Sequence, residues 1–214
     1  MLRSLDVILD YRLAASDGVQ GTVADFLFDD ESWMVHYLVA ETASPLGKKQ
    51  VLILPFVVGP PDWEMKRVPV NLTSAQIRTS PVLESDMPIS RQYESGLKLP
   101  GSHLRSMREV LDYSIHAVDG EAGKIEDFIV EDTLWGVHHL VIALKRMFGR
   151  SVLLSPEAVR SISWRGKAAW VNLSISELEL GAEFDPTMPA SGGERRPPLD
   201  YYGRPVYTPP DVRP

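Results

Sequence analysis

The chain contains an internal repeat, and this repeat limits the folds open to it more than any other feature. Residues 2–41 align without a gap with residues 104–143 at a constant offset of 102, and eighteen of the 40 aligned positions are identical. The offset then falls to 101, and the match continues from residues 51–72 to residues 152–173. The 214-residue chain is therefore expected to fold as two copies of one unit of about 80 residues.

The repeat predicts the domain boundaries. The first repeat covers residues 1–86 and the second repeat covers residues 102–186. Residues 87–101 between them contain Pro and Gly and are typical of a linker. Residues 187–214 hold seven of the 17 prolines, so we expect a Pro-rich tail outside the folded units.

The charge is distributed unevenly along the chain. It carries 22 Lys+Arg against 29 Asp+Glu, a formal net charge of −7, and the acidic excess lies in the two repeats. This balance disfavours a uniformly basic nucleic-acid binder, because affinity for phosphates comes from clustered Lys and Arg. The absence of cysteine excludes disulfides, thiolate metal sites and Cys nucleophiles. No apolar run is long enough to span a bilayer and no signal peptide is visible, so a cytoplasmic location is expected.

Turn signals recur at the same places in both repeats. Asp17-Gly18 and Asp119-Gly120 lie between apolar segments, which predicts a β-hairpin because Gly tolerates a positive φ. Gly21 and Gly123 follow three residues later, where we expect a β-bulge. Five or six short apolar segments per repeat, at roughly 8–12-residue spacing, predict a small barrel or sandwich.

A set of short motifs occurs in the same order in both repeats. In the first repeat these are Asp-Gly-x-x-Gly at 17–21, Asp29-Asp30, Trp33, Leu38-Val39 and Val-Leu-Ile-Leu-Pro at 51–55. In the second repeat they are Asp-Gly-x-x-Gly at 119–123, Glu131-Asp132, Trp135, Leu140-Val141 and Val-Leu-Leu-Ser-Pro at 152–156. The ordered set resembles the PRC-barrel family, the β-barrel of the photosynthetic reaction-centre H subunit's cytoplasmic domain and of the ribosome-maturation factor RimM.

The resemblance covers both repeats and implies a fold class. It implies a mainly β protein with two tandem small β-barrels, each with a short closing helix, followed by the Pro-rich tail. The closing helices are expected at residues 75–78 and 177–180, after Ser and Thr residues that can cap them. It also implies a non-catalytic module that docks on other macromolecules, and no cofactor is expected.

Histidines and acidic residues are candidate functional groups. His36 and His138 occupy equivalent strand positions, and we expect partly exposed side chains that could make an interface sensitive to pH. His139 is expected to face away from His138, because neighbouring strand residues point to opposite sides, so no metal site is predicted. Asp29 and Asp30 are expected in a solvated turn, since their spacing does not match a calcium loop.

Basic and aromatic side chains are the other candidates for binding. They comprise two basic loops and the tyrosines of the tail: Lys48, Lys49, Lys145, Arg146, Phe148, Arg150, Tyr201, Tyr202 and Tyr207. The loops can contact RNA, a partner protein or an anionic membrane surface, although two or three charges supply only weak phosphate affinity. Trp33, Trp63, Trp135 and Trp164 are expected to fill the cores or to line contacts between units.

These features lead to three hypotheses. The first is a protein-interaction or regulatory module, related to reaction-centre or electron-transport assemblies, whose partner is another protein or a second copy of the chain. The second is a ribosome- or RNA-associated adaptor. The third, least favoured, is an enzyme with an unrecognised site, since the nucleophile-elbow, P-loop and zinc-protease motifs are absent.

Overall fold

The computed structural model describes residues 2–45, 47–96, 102–131, 134–145 and 150–184. The protein is mainly β, as the sequence predicts, and its strands form two sheets. No helix in these ranges is both long enough and apolar enough to cross a membrane.

Thirteen strands are described. The first repeat contributes β1 (Leu2–Ser4), β2 (Arg12–Ala15), β3 (Gly18–Asp29), β4 (Val35–Ser44), β5 (Gly47–Ile53) and β6 (Arg67–Pro69). The second repeat contributes β7 (Leu104–Ser106), β8 (Ser114–Ala117), β9 (Gly120–Glu131), β10 (Gly136–Leu144), β11 (Ser151–Leu154), β12 (Val159–Ser163) and β13 (Ala168–Val171). The helices are α1 (Ser74–Thr79), α2 (Ile89–Glu94), α3 (Met107–Val110) and α4 (Ile175–Glu179), with 3-10 turns at Asp6–Ile8, Pro55–Val57, Leu83–Ser85 and Pro156–Ala158.

The two sheets have matching strand orders. The first runs β5-β4-β3-β2-β6 and the second runs β11-β10-β9-β8-β13-β12. The pairs are antiparallel except β2 with β6 and β8 with β13, which are parallel. Within the described ranges no ladder joins the two ends of either sheet, so each sheet is open there.

The first strand of each repeat lies on the sheet of the other repeat. Strand β1 pairs with β9 of the second repeat, with Leu2 opposite Glu131. Strand β7 pairs in the same way with β3 of the first repeat, with Leu104 opposite Asp29. We call this reciprocal contact of β1 on β9 and β7 on β3 the seam. Each sheet therefore includes a strand from the other repeat.

One hydrophobic core extends through both repeats. The ring centroids of Phe28 and Phe128 lie 5.1 Å apart across the boundary. The backbone joins there as well, because Val35 N–H donates to the Trp135 carbonyl at 2.8 Å and Val137 N–H donates to the Trp33 carbonyl at 2.7 Å. Burial of apolar area in a shared core stabilises the two repeats together.

The local predictions from sequence are confirmed in both repeats. Strands β2 and β3 form the expected hairpin with Ala15 opposite Gly18, and β8 and β9 form its equivalent. Helices α1 and α4 form near the expected places, and each has a capping box, from Thr73 with Gln76 and from Ser174 with Glu177. Residues 89–94 of the expected linker form helix α2. The tail at 187–214 lies outside the described residues.

Gly21 and Gly123 are required by a close backbone approach. A Cβ atom on Gly21 would lie 2.1 Å from the Glu41 carbonyl oxygen, and one on Gly123 would lie 2.1 Å from the Ala143 carbonyl oxygen. Both glycines lie beside register shifts in the hairpin, as the predicted bulge requires. A side chain at either place would push apart the two longest strands of its sheet.

We expect Gly123→Ala to lower the free energy of unfolding by at least about 2 kcal/mol, because the clash is with backbone. Gly136→Ala is the matched control, since a Cβ there meets only the Met34 sulfur at 3.5 Å, an ordinary contact. Urea denaturation of both variants measures the difference. Equal stability of the two variants would contradict the close approach.

Candidate functional site

The two histidines chosen from sequence lie in equivalent exposed positions. His36 lies on β4 and His138 on β10, and both side chains are exposed, as expected. The His36 ring contacts Tyr37 edge-on, with centroids 6.4 Å apart. Within the described ranges no hydrogen bond or ring contact joins His36 to His138, although the neighbouring residues Val35 and Val137 bond to the backbone of the other repeat.

The expectation that His138 and His139 face opposite sides is wrong. Their Nδ1 atoms lie 3.1 Å apart and their rings 4.7 Å apart. The cause is a register shift between Val137 and His139, which interrupts the alternation of the strand. Burial, and secondarily the charge of His138, lowers the pKa of His139 to about 4. His139 is therefore neutral at pH 7. A hydrogen bond joins its Nδ1 atom to the Nδ1 atom of the exposed His138.

The described basic candidates all have acidic or carbonyl partners. Lys48 pairs with Glu41 at 2.6 Å, and Lys145 pairs with Glu121 at 2.8 Å. The Lys49 ammonium donates to the Arg78 carbonyl at 3.0 Å, and Arg150 lies 3.7 Å from a Glu183 oxygen. The remaining candidates lie outside the described residues: Arg146, Phe148, Tyr201, Tyr202 and Tyr207. Lys48 lies on β5 of the first sheet, and Lys145 follows the end of β10 in the second.

Two carboxylates secure the seam: Asp127, which is buried, and Asp25, which is half-buried. Asp127 on β9 accepts hydrogen bonds from the Ser4 hydroxyl at 2.5 Å and the Asp6 N–H at 3.0 Å. Asp25 on β3 accepts the equivalent bonds from the Ser106 hydroxyl at 2.5 Å and the Arg108 N–H at 2.9 Å. Each carboxylate thus binds the end of the exchanged strand and the first N–H groups of the helical turn after it.

Burial raises the pKa of both seam carboxyls, although their hydrogen bonds oppose the shift. The pKa of Asp127 rises to about 6, and that of Asp25 also rises. Sequence reasoning missed this role because the partners are distant in the chain. The signal that could have found it is the repetition of Asp25 and Ser4 as Asp127 and Ser106.

Asp29 and Asp30 differ in their environments. Asp29 accepts N–H bonds from Glu31 at 3.0 Å and Ser32 at 2.7 Å, which confirms the predicted turn. The expectation of a solvated turn is wrong for Asp30, whose nearly buried side chain pairs with Arg105 at 2.6 Å. Arg105 comes from the exchanged strand β7, so this ion pair also belongs to the seam.

The tryptophans serve both expected roles. Trp33 stacks on Phe28, and Trp135 stacks on Phe26 across the boundary between repeats. Trp63 contacts Tyr11 within the first repeat, with centroids 6.1 Å apart. Trp164 lies 5.4 Å from Tyr93 of helix α2, and the Arg165 guanidinium lies over both rings.

Apolar exposure differs between the repeats at equivalent positions. The first repeat exposes Leu54 (47%), Phe56 (79%) and Met65 (56%). The second repeat carries Ser155, Glu157 and Gly166 at these places. We call Leu54 and Phe56 the Phe56 face; they lie at and next to the 3-10 turn Pro55–Val57. Phe56 exposes a large apolar ring beside exposed Leu54 in the chain, where the second repeat carries a carboxylate, so we take this face as the candidate binding surface.

Metal-ligating side chains do not cluster in threes in the described ranges. No family model matches the chain, and no curated protein matches it. The candidate site therefore rests on the chain's own geometry.

The raised pKa of Asp127 predicts a pH dependence of stability. Its protonated form stabilises the fold fully below about pH 4, and this stability is lost as the pH rises through about 6. The free energy of unfolding of Asp127→Asn, measured relative to that of the wild type, should therefore rise by about 3 kcal/mol between pH 4 and pH 7. Urea denaturation at several pH values measures this difference.

Asp17→Asn is the control for this experiment, since the Ser74 hydroxyl and N–H lower the pKa of exposed Asp17. Its difference from the wild type should change with pH in the opposite direction. A difference for Asp127→Asn that does not vary with pH would contradict burial of a titrating carboxyl at the seam.

The lowered pKa of His139 predicts the opposite trend. The neutral ring stabilises the fold above about pH 6.5, and this stability is lost as the pH falls through about 4. His139→Tyr introduces the residue that the first repeat has at the equivalent position, Tyr37. When the pH falls from 7 to 4, the free energy of unfolding should drop by about 3 kcal/mol less in this variant than in the wild type. Parallel stability curves for the two proteins would refute this assignment.

Proposed function

We propose that the protein is a non-catalytic interaction module built of two PRC-barrel-like units, which binds a partner protein through the Phe56 face. The single observation that carries this proposal is the exposed apolar side chain of Phe56 at a position where the otherwise similar second repeat has Glu157. Contiguous exposed apolar surface is typical of a protein contact.

The seam supports a role as a rigid adaptor. Strand exchange, the shared core and the Asp30–Arg105 pair hold the two repeats in one arrangement. The second repeat, with polar groups at the equivalent surface, then serves as a scaffold for the first. A pre-organised surface binds with a smaller loss of conformational entropy.

The PRC-barrel part of the proposal is supported by the placement of the family motifs. The Asp-Gly-x-x-Gly segments lie in hairpins, and the closing helices follow the last strand of each repeat. By the same resemblance, we place the partner among proteins of reaction-centre or electron-transport assemblies. The proposal assigns no catalytic activity to the protein.

An RNA-binding adaptor is the weaker alternative. Affinity for RNA phosphates comes from Lys and Arg side chains that replace the counterions bound to the RNA. Lys48 and Lys145 are each paired with a glutamate within the chain. These ion pairs favour a protein partner over RNA.

The test is affinity purification from the native host with three versions of the full chain, followed by mass spectrometry. Phe56→Glu gives the first repeat the residue of the second and should reduce partner recovery at least tenfold. Leu180→Glu is the matched control, because Leu180 is 82% exposed on the second repeat and should have no effect.

Light scattering of the same three proteins distinguishes a second copy from a different partner. Loss of a dimer in Phe56→Glu alone would identify the partner as another copy of the chain. Equal partner recovery from all three proteins would overturn the proposed face.

A further inference from the structure

A groove of about 250 Å³ lies at the seam, where Asp6 of the first repeat faces the second repeat. Asp112, Lys124 and Glu126 of the second repeat also line it, so the lining carries three carboxylates and one ammonium and is net negative. Within the described residues, the Asp6 and Asp112 carboxylates form no hydrogen bond or ion pair. The Glu126 carboxylate accepts one hydrogen bond, from the Ser151 hydroxyl at 2.6 Å. We call this feature the Asp6 groove.

The equivalent place on the first sheet is filled by an arginine. The Arg108 side chain donates from Nε to the Ala24 carbonyl at 2.8 Å and from its guanidinium to the Asp10 carboxylate at 2.9 Å. The guanidinium thus lies between a strand carbonyl and a carboxylate. At the repeat offset of 102, position 108 corresponds to Asp6. The second sheet therefore has a carboxylate where the first sheet has a guanidinium.

Both acceptors that bind this guanidinium have equivalents in the Asp6 groove. Asp112 corresponds to Asp10, and Glu126 corresponds to Ala24. Ala24 falls at a register shift of β3, and Glu126 falls at the matching shift of β9, so the same β-bulge recurs at both carbonyls. The groove therefore repeats the carbonyl and the carboxylate of a guanidinium site, while its own position for the arginine holds Asp6.

We infer that the Asp6 groove binds the guanidinium group of an arginine side chain from a partner protein. Its volume lies below the roughly 300 Å³ of the smallest pockets for drug-sized ligands, so it suits the end of one side chain. Leu111 and Ile125 also line the groove and offer apolar surface to the methylene stem of an arginine. A guanidinium suits the two acceptors better than an ammonium, because its planar fork of donors is rigid.

The charges around Asp6 support a cationic ligand. Burial raises the pKa of Asp6; the charge of Arg108 opposes this increase, and the carboxylates of Glu126 and Asp10 add to it. Arg108 is itself bound to Asp10, and Lys124 is exposed and carries a compact ammonium without the fork of a guanidinium. A guanidinium bound in the groove would offset the repulsion among these carboxylates.

Nuclear magnetic resonance titration of the full-length protein tests this site. N-acetyl-arginine methylamide should cause saturable shifts at the amides of residues 124–126, and N-acetyl-lysine methylamide should bind at least five times more weakly. Absence of saturable shifts, or equal affinity for the two compounds, would overturn the inference. Agmatine supplies the same group as a free small molecule. Binding of agmatine at least ten times tighter than that of N-acetyl-arginine methylamide would overturn the assignment to a partner protein.

Asp6→Arg places in the groove the residue that stands at position 108, and should fill the groove from within the chain. This variant should lose the shifts, whereas Glu157→Arg should keep them, since it makes the same change of charge at an exposed position elsewhere on the second repeat. Equal binding by the two variants would refute the site. If Asp6→Arg does not fold, Asp112→Asn gives the same test and should weaken binding at least threefold.

Arg108→Asp is the reciprocal variant. It should open the equivalent place on the first sheet and add a second binding site, seen as new shifts at the amides of residues 22–24. A single site in this variant would contradict the equivalence of the two places. Phe56→Glu should bind N-acetyl-arginine methylamide like the wild type. A failure of the Asp6 groove can therefore be distinguished from a failure of the Phe56 face.

Discussion

Each carboxylate at the seam, Asp25 or Asp127, accepts hydrogen bonds from a strand that belongs to the other repeat. The hydrogen bonds from Ser4 and Ser106 fix where each exchanged strand ends, and the N–H bonds that follow fix the direction of the next turn. A strand of three residues has few backbone hydrogen bonds of its own, so a carboxylate that accepts hydrogen bonds at its end matters for its placement. These side-chain bonds add to the three-residue backbone ladder that joins each exchanged strand to the sheet of the other repeat.

Pseudo-two-fold duplication makes the differences between repeats informative. Non-Gly residues with a positive φ occur at equivalent positions in the two repeats. Those of the first repeat are Asp10, Trp33 and Lys66, and those of the second are Asp112, Trp135 and Lys167. With the backbone repeated this closely, substitutions at equivalent surface positions change chemistry and leave the fold unchanged. The exposed Phe56 of the first repeat and the buried His139 of the second therefore mark where the two repeats differ in surface and in core chemistry.

The sequence predicts the local structure well and the long-range structure poorly. The hairpins and the capped helices depend on residues within a few positions of each other, so their signals are readable in a single segment. The exchange of β1 and β7 is not readable, because Leu-Arg-Ser is identical in both repeats and fits either sheet. The expectations for Asp30 and His139 are wrong for related reasons. Asp30 has a partner far along the chain, Arg105, and His139 follows a β-bulge.

The seam is an isologous contact contained within one chain. Residues of the first repeat contact the second in the same way as their equivalents contact the first, which is the geometry of a two-fold dimer interface. This contact is already satisfied inside the molecule, so a second copy cannot use it without unfolding an existing strand pair. Any further protein partner must therefore bind a surface that the duplication leaves unpaired. Phe56 lies on such a surface, because its equivalent in the second repeat is a carboxylate rather than a complementary apolar residue.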